Sequence, residues 1–148
     1  MQARDIMTAH PACCLPTDKL VSLAQKMRDT GCGLLPVVEN YESNRLLGVV
    51  TDRDIVCRSV AEGTDCNGAT AQSAMTSGRL WTVLPTASID EVIEKMEEGQ
   101  VRRIPVVDAD GQVQGIIATA DIALELDEPE DIAEVFEEIS EPTNRPQA

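Results

Sequence analysis

An internal duplication is the feature that most constrains the fold of this 148-residue chain. A short turn containing Ala, Met and Thr, an apolar helix face and a Pro-Val-Val strand recur in the same order about 68 residues further on. The offset changes slightly where the turn after the first Pro-Val-Val strand is longer than its counterpart. Each copy alone is too short to bury a sufficient core. The sequence therefore predicts two copies that share one hydrophobic core.

Each copy has the pattern strand, helix, strand, hairpin turn, strand, helix. Two apolar helix faces have i, i+3, i+4, i+7 spacing: Leu20, Leu23, Ala24 and Met27, and then Ile89, Val92, Ile93 and Met96. Gly31 and Gly99 are expected to end these helices. The following strands should begin near Pro36 and Pro105, because proline is tolerated at strand starts and edges. An α/β fold follows from this pattern.

The domain organisation follows from the duplication. The first repeat is expected at 1–63, a glycine-punctuated linker at 64–70, the second repeat at 71–126, and an acidic helix with a tail at 127–148. Apolar residues at helical spacing predict a helix that packs on the module or on a partner subunit: Ile132, Val135, Phe136 and Ile139. The last residues, 144–148, should be disordered.

Composition excludes several classes of function. The net charge of −14 argues against a nucleic-acid partner, since Lys and Arg contacts to phosphate dominate that affinity. Only 2% of the residues are aromatic, so a bound base would be held by aliphatic side chains and backbone. No stretch has the length of a signal sequence or a membrane span, and we expect a cytoplasmic protein without a membrane contact.

Five cysteines without Cys-x-x-Cys spacing and a single histidine give no metal-binding pattern. We interpret the cysteines as buried structural thiols and expect no metal. A nucleophile paired with a base is also not visible, so the sequence predicts a protein without catalysis.

The segment Gly48 through Ile55 is the candidate functional stretch, because an apolar strand runs directly into a polar helix start. Thr51 and Asp54 lie three residues apart and should point the same way on the first helical turn. A hydroxyl and a carboxylate in this arrangement suit a sugar diol. The alternative is structural: Thr51 caps the helix and the negative charge of Asp54 interacts favourably with the helix dipole, as in a capping box.

These segments together resemble the paired cystathionine-β-synthase (CBS) domain family, in which two repeats form a Bateman module. The motifs that carry the resemblance are Asp5-Ile6-Met7-Thr8 with Ala74-Met75-Thr76, Leu35-Pro36-Val37-Val38 with Ile104-Pro105-Val106-Val107, and Gly48 through Asp54 with Gly115 through Asp121. The small stand-alone bacterial members of the hypoxic-response type are the most similar in pattern. The resemblance implies two pseudo-symmetric repeats, each a small sheet with two packed helices.

The resemblance also implies an adenosyl ligand, such as AMP, ADP, ATP, NAD or S-adenosylmethionine, in clefts between the repeats. The family signature for ribose is complete at Gly48, Thr51 and Asp54. In the second copy Asp121 is present but Ala118 replaces the hydroxyl residue, which implies a weaker second site.

In this family, basic residues just before the Pro-Val-Val strand commonly meet phosphate, so the resemblance implies phosphate contacts from Arg102 and Arg103, assisted by Arg53. Gly33 and Leu34 occupy the corresponding positions of the first copy, so one phosphorylated nucleotide per chain is expected. The alternative for Arg102 and Arg103 is a solvated face, paired with glutamates such as Glu97 or Glu98.

We interpret the chain as a regulatory nucleotide-sensing module. A homodimer is expected through the two apolar helix faces, and an unidentified protein partner is possible. Two alternatives stay open: a CBS module that binds NAD, and an interaction protein whose nucleotide site is vestigial and whose acidic C-terminal helix binds a partner.

Overall fold

The computed structural model describes residues 1–140, and its elements follow the predicted order. The expected disordered tail at 144–148 lies outside the described residues. The helices are α1 (Ala3–Ile6), α2 (Leu20–Thr30), α3 (Asp52–Ile55), α4 (Ala71–Ala74), α5 (Ile89–Gly99), α6 (Thr119–Glu125) and α7 (Pro129–Ser140). The strands are β1 (Thr8–Ala9), β2 (Leu34–Val38), β3 (Leu46–Thr51), β4 (Arg103–Val107) and β5 (Val113–Ala118). A π-helical turn at Val56–Val60 continues α3.

The chain forms two compact units that exchange their first segments. The repeat-1 unit contains His10–Leu80 with Ala109–Val113, and the repeat-2 unit contains Met1–Ala9, Trp81–Asp108 and the described residues from Gln114 to Ser140. The predicted boundaries 1–63, 64–70 and 71–126 thus remain a proposal about repeats along the sequence, because the compact units cut across them.

The repeat-1 unit is built on the antiparallel pair β2 and β3. Single bridges add neighbours on both sides: Cys14 pairs parallel with Val37, and Thr76 pairs antiparallel with Val49. All residues of β2 are buried, which explains its uninterrupted apolar sequence. The buried face of α2 packs with β2 and β3 in one hydrophobic cluster that includes Leu20, Leu23, Met27, Leu35, Val37 and Val50.

The repeat-2 unit has the same pairing pattern with strand order β1-β5-β4. Thr8 of β1 pairs antiparallel with Ile116, and Val83 pairs parallel with Val106. Its own hydrophobic cluster includes Val92, Met96, Ile104, Ile117, Ile122, Val135 and Ile139. The prediction of one shared core is therefore wrong: the described residues form two clusters, one in each unit.

The expected dimer faces also need correction. Leu20, Leu23 and Met27 are buried in the chain's own core, as are Val92 and Met96, so these faces do not supply a free dimer surface.

The two Pro-Val-Val strands begin two residues before their prolines. Proline is accommodated inside these strands because its carbonyl group still accepts a hydrogen bond: Pro36 accepts from the Cys14 N–H, and Pro105 accepts from the Val83 N–H. Gly31 is left-handed as predicted, with φ of 69°, whereas the left-handed cap of α5 is Gln100. Gly99 is required for another reason, since an added Cβ would lie 2.7 Å from the Trp81 ring.

Candidate functional site

Gly48 begins the candidate site and is fixed by its neighbours. A Cβ at this buried position would lie 2.6 Å from the Thr76 carbonyl oxygen and 3.3 Å from Met75 Sδ. Thr76 lies against this part of β3 because its backbone exchanges two hydrogen bonds with that of Val49, of 3.0 and 2.8 Å. In the second copy, a Cβ at Gly115 would lie 2.9 Å from the Thr8 carbonyl oxygen. The glycine of the motif is therefore explained by close strand packing.

Thr51 and Asp54 form a complete capping box at the start of α3. The Thr51 N–H donates to Asp54 Oδ2 at 2.9 Å, and the Asp54 N–H donates to Thr51 Oγ1 at 3.1 Å. These two hydrogen bonds confirm the capping box that the structural interpretation of this pair predicted. They leave Oδ1 of Asp54 outside the box, and the Asp54 side chain retains 18% exposure. The carboxylate can cap the helix and still accept from an external donor.

Arg58 is a residue of this site that the sequence reasoning missed. Its Nε lies 3.8 Å from Asp54 Oδ1, and its Nη1 donates to the carbonyl oxygens of Ala74 at 3.1 Å and Met75 at 3.2 Å. The i, i+4 spacing from Asp54 was the available signal, since such pairs meet on a helix surface.

The second copy retains only half of the box. The Ala118 N–H donates to Asp121 Oδ2 at 2.8 Å, and Ala118 has no hydroxyl to accept the return bond. Asp121 therefore caps α6 as Asp54 caps α3, without the second polar side chain.

The predicted phosphate-binding arginines lie in two places. Arg53 is exposed on α3, beside Thr51 and Asp54 in the repeat-1 unit, whereas Arg102 and Arg103 are exposed at the start of β4 in the repeat-2 unit. Within residues 1–140 none of these three guanidinium groups forms an ion pair. The exposure of Arg102 and Arg103 agrees with the solvated-face alternative. The pairing with Glu97 or Glu98 is wrong for the described part of the chain, because Glu98 pairs with Lys95 at 3.6 Å and Glu97 is hydrogen-bonded to Glu138.

A small cavity adjoins Arg102. It has a volume of about 180 Å³ and is lined by Arg102, Thr119, Phe136, Ile139 and Ser140. The last turns of α7 thus border one of the predicted phosphate-binding residues. The sequence predicted the amphipathic helix but gave no indication of this neighbour.

The contact between α5 and α7 is rich in carboxylates. Burial and a hydrogen bond shared with Glu138 raise the pKa of Glu97 to about 7, and the charges of Glu138, Glu94 and Glu134 add to the effect. Glu97 therefore keeps its proton to a higher pH than an isolated glutamate, because the neighbouring carboxylates disfavour a further negative charge.

The cysteines are free thiols, and the expectation that they are buried holds only for Cys13 and Cys14, because Cys57 is exposed and the other two are half-buried. Burial raises the pKa of the Cys13 thiol and, together with the Asp18 charge, raises that of Cys14 to about 12. These thiols are therefore protonated near neutral pH, which fits structural roles. In the part of the chain that the structure describes, no helix is long and apolar enough to cross a membrane.

Known proteins define the family to which this site belongs. The CBS domain model matches residues 3–60 and 71–128. The chain is 42% identical over 126 residues to hypoxic response protein 1 of Mycobacterium tuberculosis, with 85% of each protein covered. A crystal structure of Hypoxic Response Protein I is similar with a TM-score of 0.76 and 41% identity, covering 85% of this chain and 99% of that one. The chain belongs to the CBS-domain family, as a tandem pair of repeats.

A further solved structure informs the type of ligand. The CBS domain pair of protein MJ0100, 25% identical with a TM-score of 0.71, covers 84% of this chain and 94% of that one. That pair was crystallised in complex with 5′-methylthioadenosine and S-adenosyl-L-methionine.

The expectation of no metal is not supported by these relatives, because Hypoxic Response Protein I was crystallised with two coordinated zinc ions. Residues 1–140 of this chain contain no group of three or more His, Cys, Asp and Glu side chains arranged to hold a metal ion. The residues described here therefore do not fit such a centre within one chain.

Proposed function

We propose that this protein is a non-catalytic regulatory module that binds a phosphorylated adenosine ligand. Asp54 accepts hydrogen bonds from the ribose hydroxyls, and Thr51 contacts ribose or phosphate oxygens. The expected ligands are AMP, ADP, ATP or NAD, with one tight site per chain. The adenosyl complexes of the related CBS pair support this class of ligand.

The observation that carries the proposal is that the two oxygens of the Asp54 carboxylate have different surroundings. Oδ2 accepts from the Thr51 N–H, so the carboxylate is held in one orientation before any ligand arrives. Oδ1 makes no hydrogen bond to a described residue, since its contact with Arg58 is 3.8 Å long. A preorganised acceptor loses little conformational entropy on binding, which favours recognition of a diol.

The arginines are proposed to contact phosphate. Arg53, Arg102 and Arg103 are exposed and lack ion pairs within residues 1–140, so binding an anion breaks no salt bridge to another described residue. In a chain of net charge −14, exposed guanidinium groups are the side chains best suited to phosphate. Replacing Arg102 and Arg103 by Ala should weaken AMP binding much more than adenosine binding, because only AMP loses charge-assisted bonds.

Isothermal titration calorimetry with adenosine, AMP, ADP, ATP and NAD tests the proposal. Asp54→Ala should weaken AMP binding by about 1.5–3 kcal/mol, the scale of hydrogen bonds to a charged group. Asp121→Ala removes the corresponding cap of α6 and serves as the matched control for lost capping. If wild-type protein binds none of the five ligands, or if the folded Asp54→Ala variant keeps its full affinity, this function is incorrect.

A homodimer is also proposed, now on different residues. Val56 and Val60 are one helical turn apart and are 56% and 59% exposed on the helix that follows Asp54. Two adjacent exposed valines favour burial against a second copy. Light scattering at micromolar concentration should give a dimer mass for the wild type and a lower mass for Val60→Asp. A monomer mass for the wild type contradicts this proposal.

A further inference from the structure

The Arg58 guanidinium is held from two sides. It lies one helical turn after Asp54 and faces Oδ1 of that carboxylate. Its Nη1 also donates to the carbonyl oxygens of Ala74 and Met75, at the C-terminal end of α4. Carbonyl groups at a helix end lack helical partners, and a guanidinium satisfies two of them here. Arg58 therefore has a defined position next to the proposed ribose-binding carboxylate.

This position gives Arg58 an electrostatic role without blocking the acceptor. At 3.8 Å, Nε is beyond hydrogen-bond distance from Oδ1, so the oxygen keeps its lone pairs for ribose hydroxyls. The positive charge still offsets the negative charge of Asp54. Without that cation, the carboxylate would repel the phosphate of the ligand that it binds through ribose.

The second repeat has the opposite charge at the corresponding position. Asp121 matches Asp54 in the repeat, and the residue four positions after Asp121 is Glu125. Glu125 is exposed at the end of α6. A carboxylate cannot donate to backbone carbonyl groups, and it adds a second negative charge beside Asp121 instead of offsetting the first.

We propose that Arg58 is a positioning and specificity-determining residue that makes the carboxylate of the first repeat accept phosphorylated ligands, and that Glu125 excludes them from the second repeat. This assignment rests on the function proposed above. It explains the expected single tight site by the sign of one side chain in each repeat, in addition to the hydroxyl that Ala118 lacks.

Calorimetry on the full chain tests this assignment with adenosine and AMP as probes. Arg58→Glu should reduce the affinity for AMP roughly tenfold or more beyond any reduction for adenosine, because charge reversal acts mainly on the charged ligand. Arg58→Lys should retain much of the preference for AMP over adenosine. Arg28→Glu makes the same change of net charge at an exposed position, where Arg28 pairs with Asp29, and should leave that preference unchanged.

Equal losses for adenosine and AMP in Arg58→Glu overturn the assignment while leaving the proposed function intact, because a structural role affects both ligands alike. Wild-type protein that binds neither probe overturns the proposed function and this assignment together. If Arg58→Glu does not fold by circular dichroism, Arg58→Met decides by the same criterion, since it removes the charge but keeps an unbranched chain.

The second repeat provides an independent test of the assignment. Ala118→Thr with Gly33→Arg restores the hydroxyl and one arginine at a phosphate-side position, and a second AMP binding step per chain should appear only when Glu125→Arg is added. Equal stoichiometry with and without Glu125→Arg overturns the role of Glu125.

Discussion

Replacing Gly48 by Ala tests whether the motif glycine is required by strand packing. Gly48 has no positive φ, so the effect comes from space alone. An added Cβ would meet the Thr76 carbonyl oxygen at 2.6 Å, and the Thr76 backbone must then move by several tenths of an ångström. That movement strains the two hydrogen bonds between Val49 and Thr76. Strain of two such bonds, offset by the lower backbone entropy cost of Ala, gives about 2 kcal/mol of destabilisation.

Urea denaturation followed by circular dichroism measures this loss. Gly68→Ala is the matched control, because a Cβ there would have its nearest neighbour at 3.7 Å. We expect the control to change the free energy of unfolding by less than about 1 kcal/mol. If Gly48→Ala is no less stable than Gly68→Ala, the packing explanation for the motif glycine is refuted.

Three further predictions concern single side chains. Asp121→Ala should leave the affinity for AMP nearly unchanged in calorimetry, and a large loss there would contradict one tight site per chain. Glu97 has a pKa of about 7 in the folded chain, above its ordinary value of 4.5, so the folded state retains a proton that the unfolded state loses as the pH rises. Stability from the Glu97 and Glu138 contact should therefore be present in acid and fall between about pH 4.5 and pH 7. Glu97→Gln should flatten this part of the wild-type decline in urea midpoints, and an identical pH profile would argue against the raised pKa of Glu97. Ser88→Ala should lower stability by about 1 kcal/mol in thermal unfolding, because Ser88 Oγ accepts from the Glu91 N–H at the start of α5; an unchanged midpoint would mean that water replaces the cap.

Periodicity predicted most of the fold, because buried helix faces and strands have direct signatures in sequence. The faces containing Leu23 and Val92 are buried as their spacing indicates. The interpretation of those faces as dimer surface failed for a physical reason: a sequence shows that a face is apolar but not which surface covers it. The exchange of Met1–Ala9 into the repeat-2 unit was also outside the reach of local patterns, because pairing of Thr8 with Ile116 is a long-range contact.

The candidate site was predicted in part. Spacing alone placed Thr51 and Asp54 together, and the structure joins them in a capping box. Arg58 could have been proposed from its i, i+4 relation to Asp54, but its bonds to the Ala74 and Met75 carbonyl groups depend on where α4 packs. The contact of α7 with Arg102 likewise depends on tertiary packing.

The exchanged first segments have a consequence for the order of events during synthesis. Met1–Ala9 is made before the segments of the repeat-1 unit but belongs to the repeat-2 unit, where Thr8 and Ala9 pair with Ile116 and Gly115. The repeat-1 unit in turn includes Ala109–Val113. Neither unit can close until Ala109–Val113 has left the ribosome, although domains generally fold from the N-terminus as they emerge. The nascent first repeat must therefore remain incomplete while the second is translated, with the edge of β3 beside Gly48 covered only after Thr76 arrives.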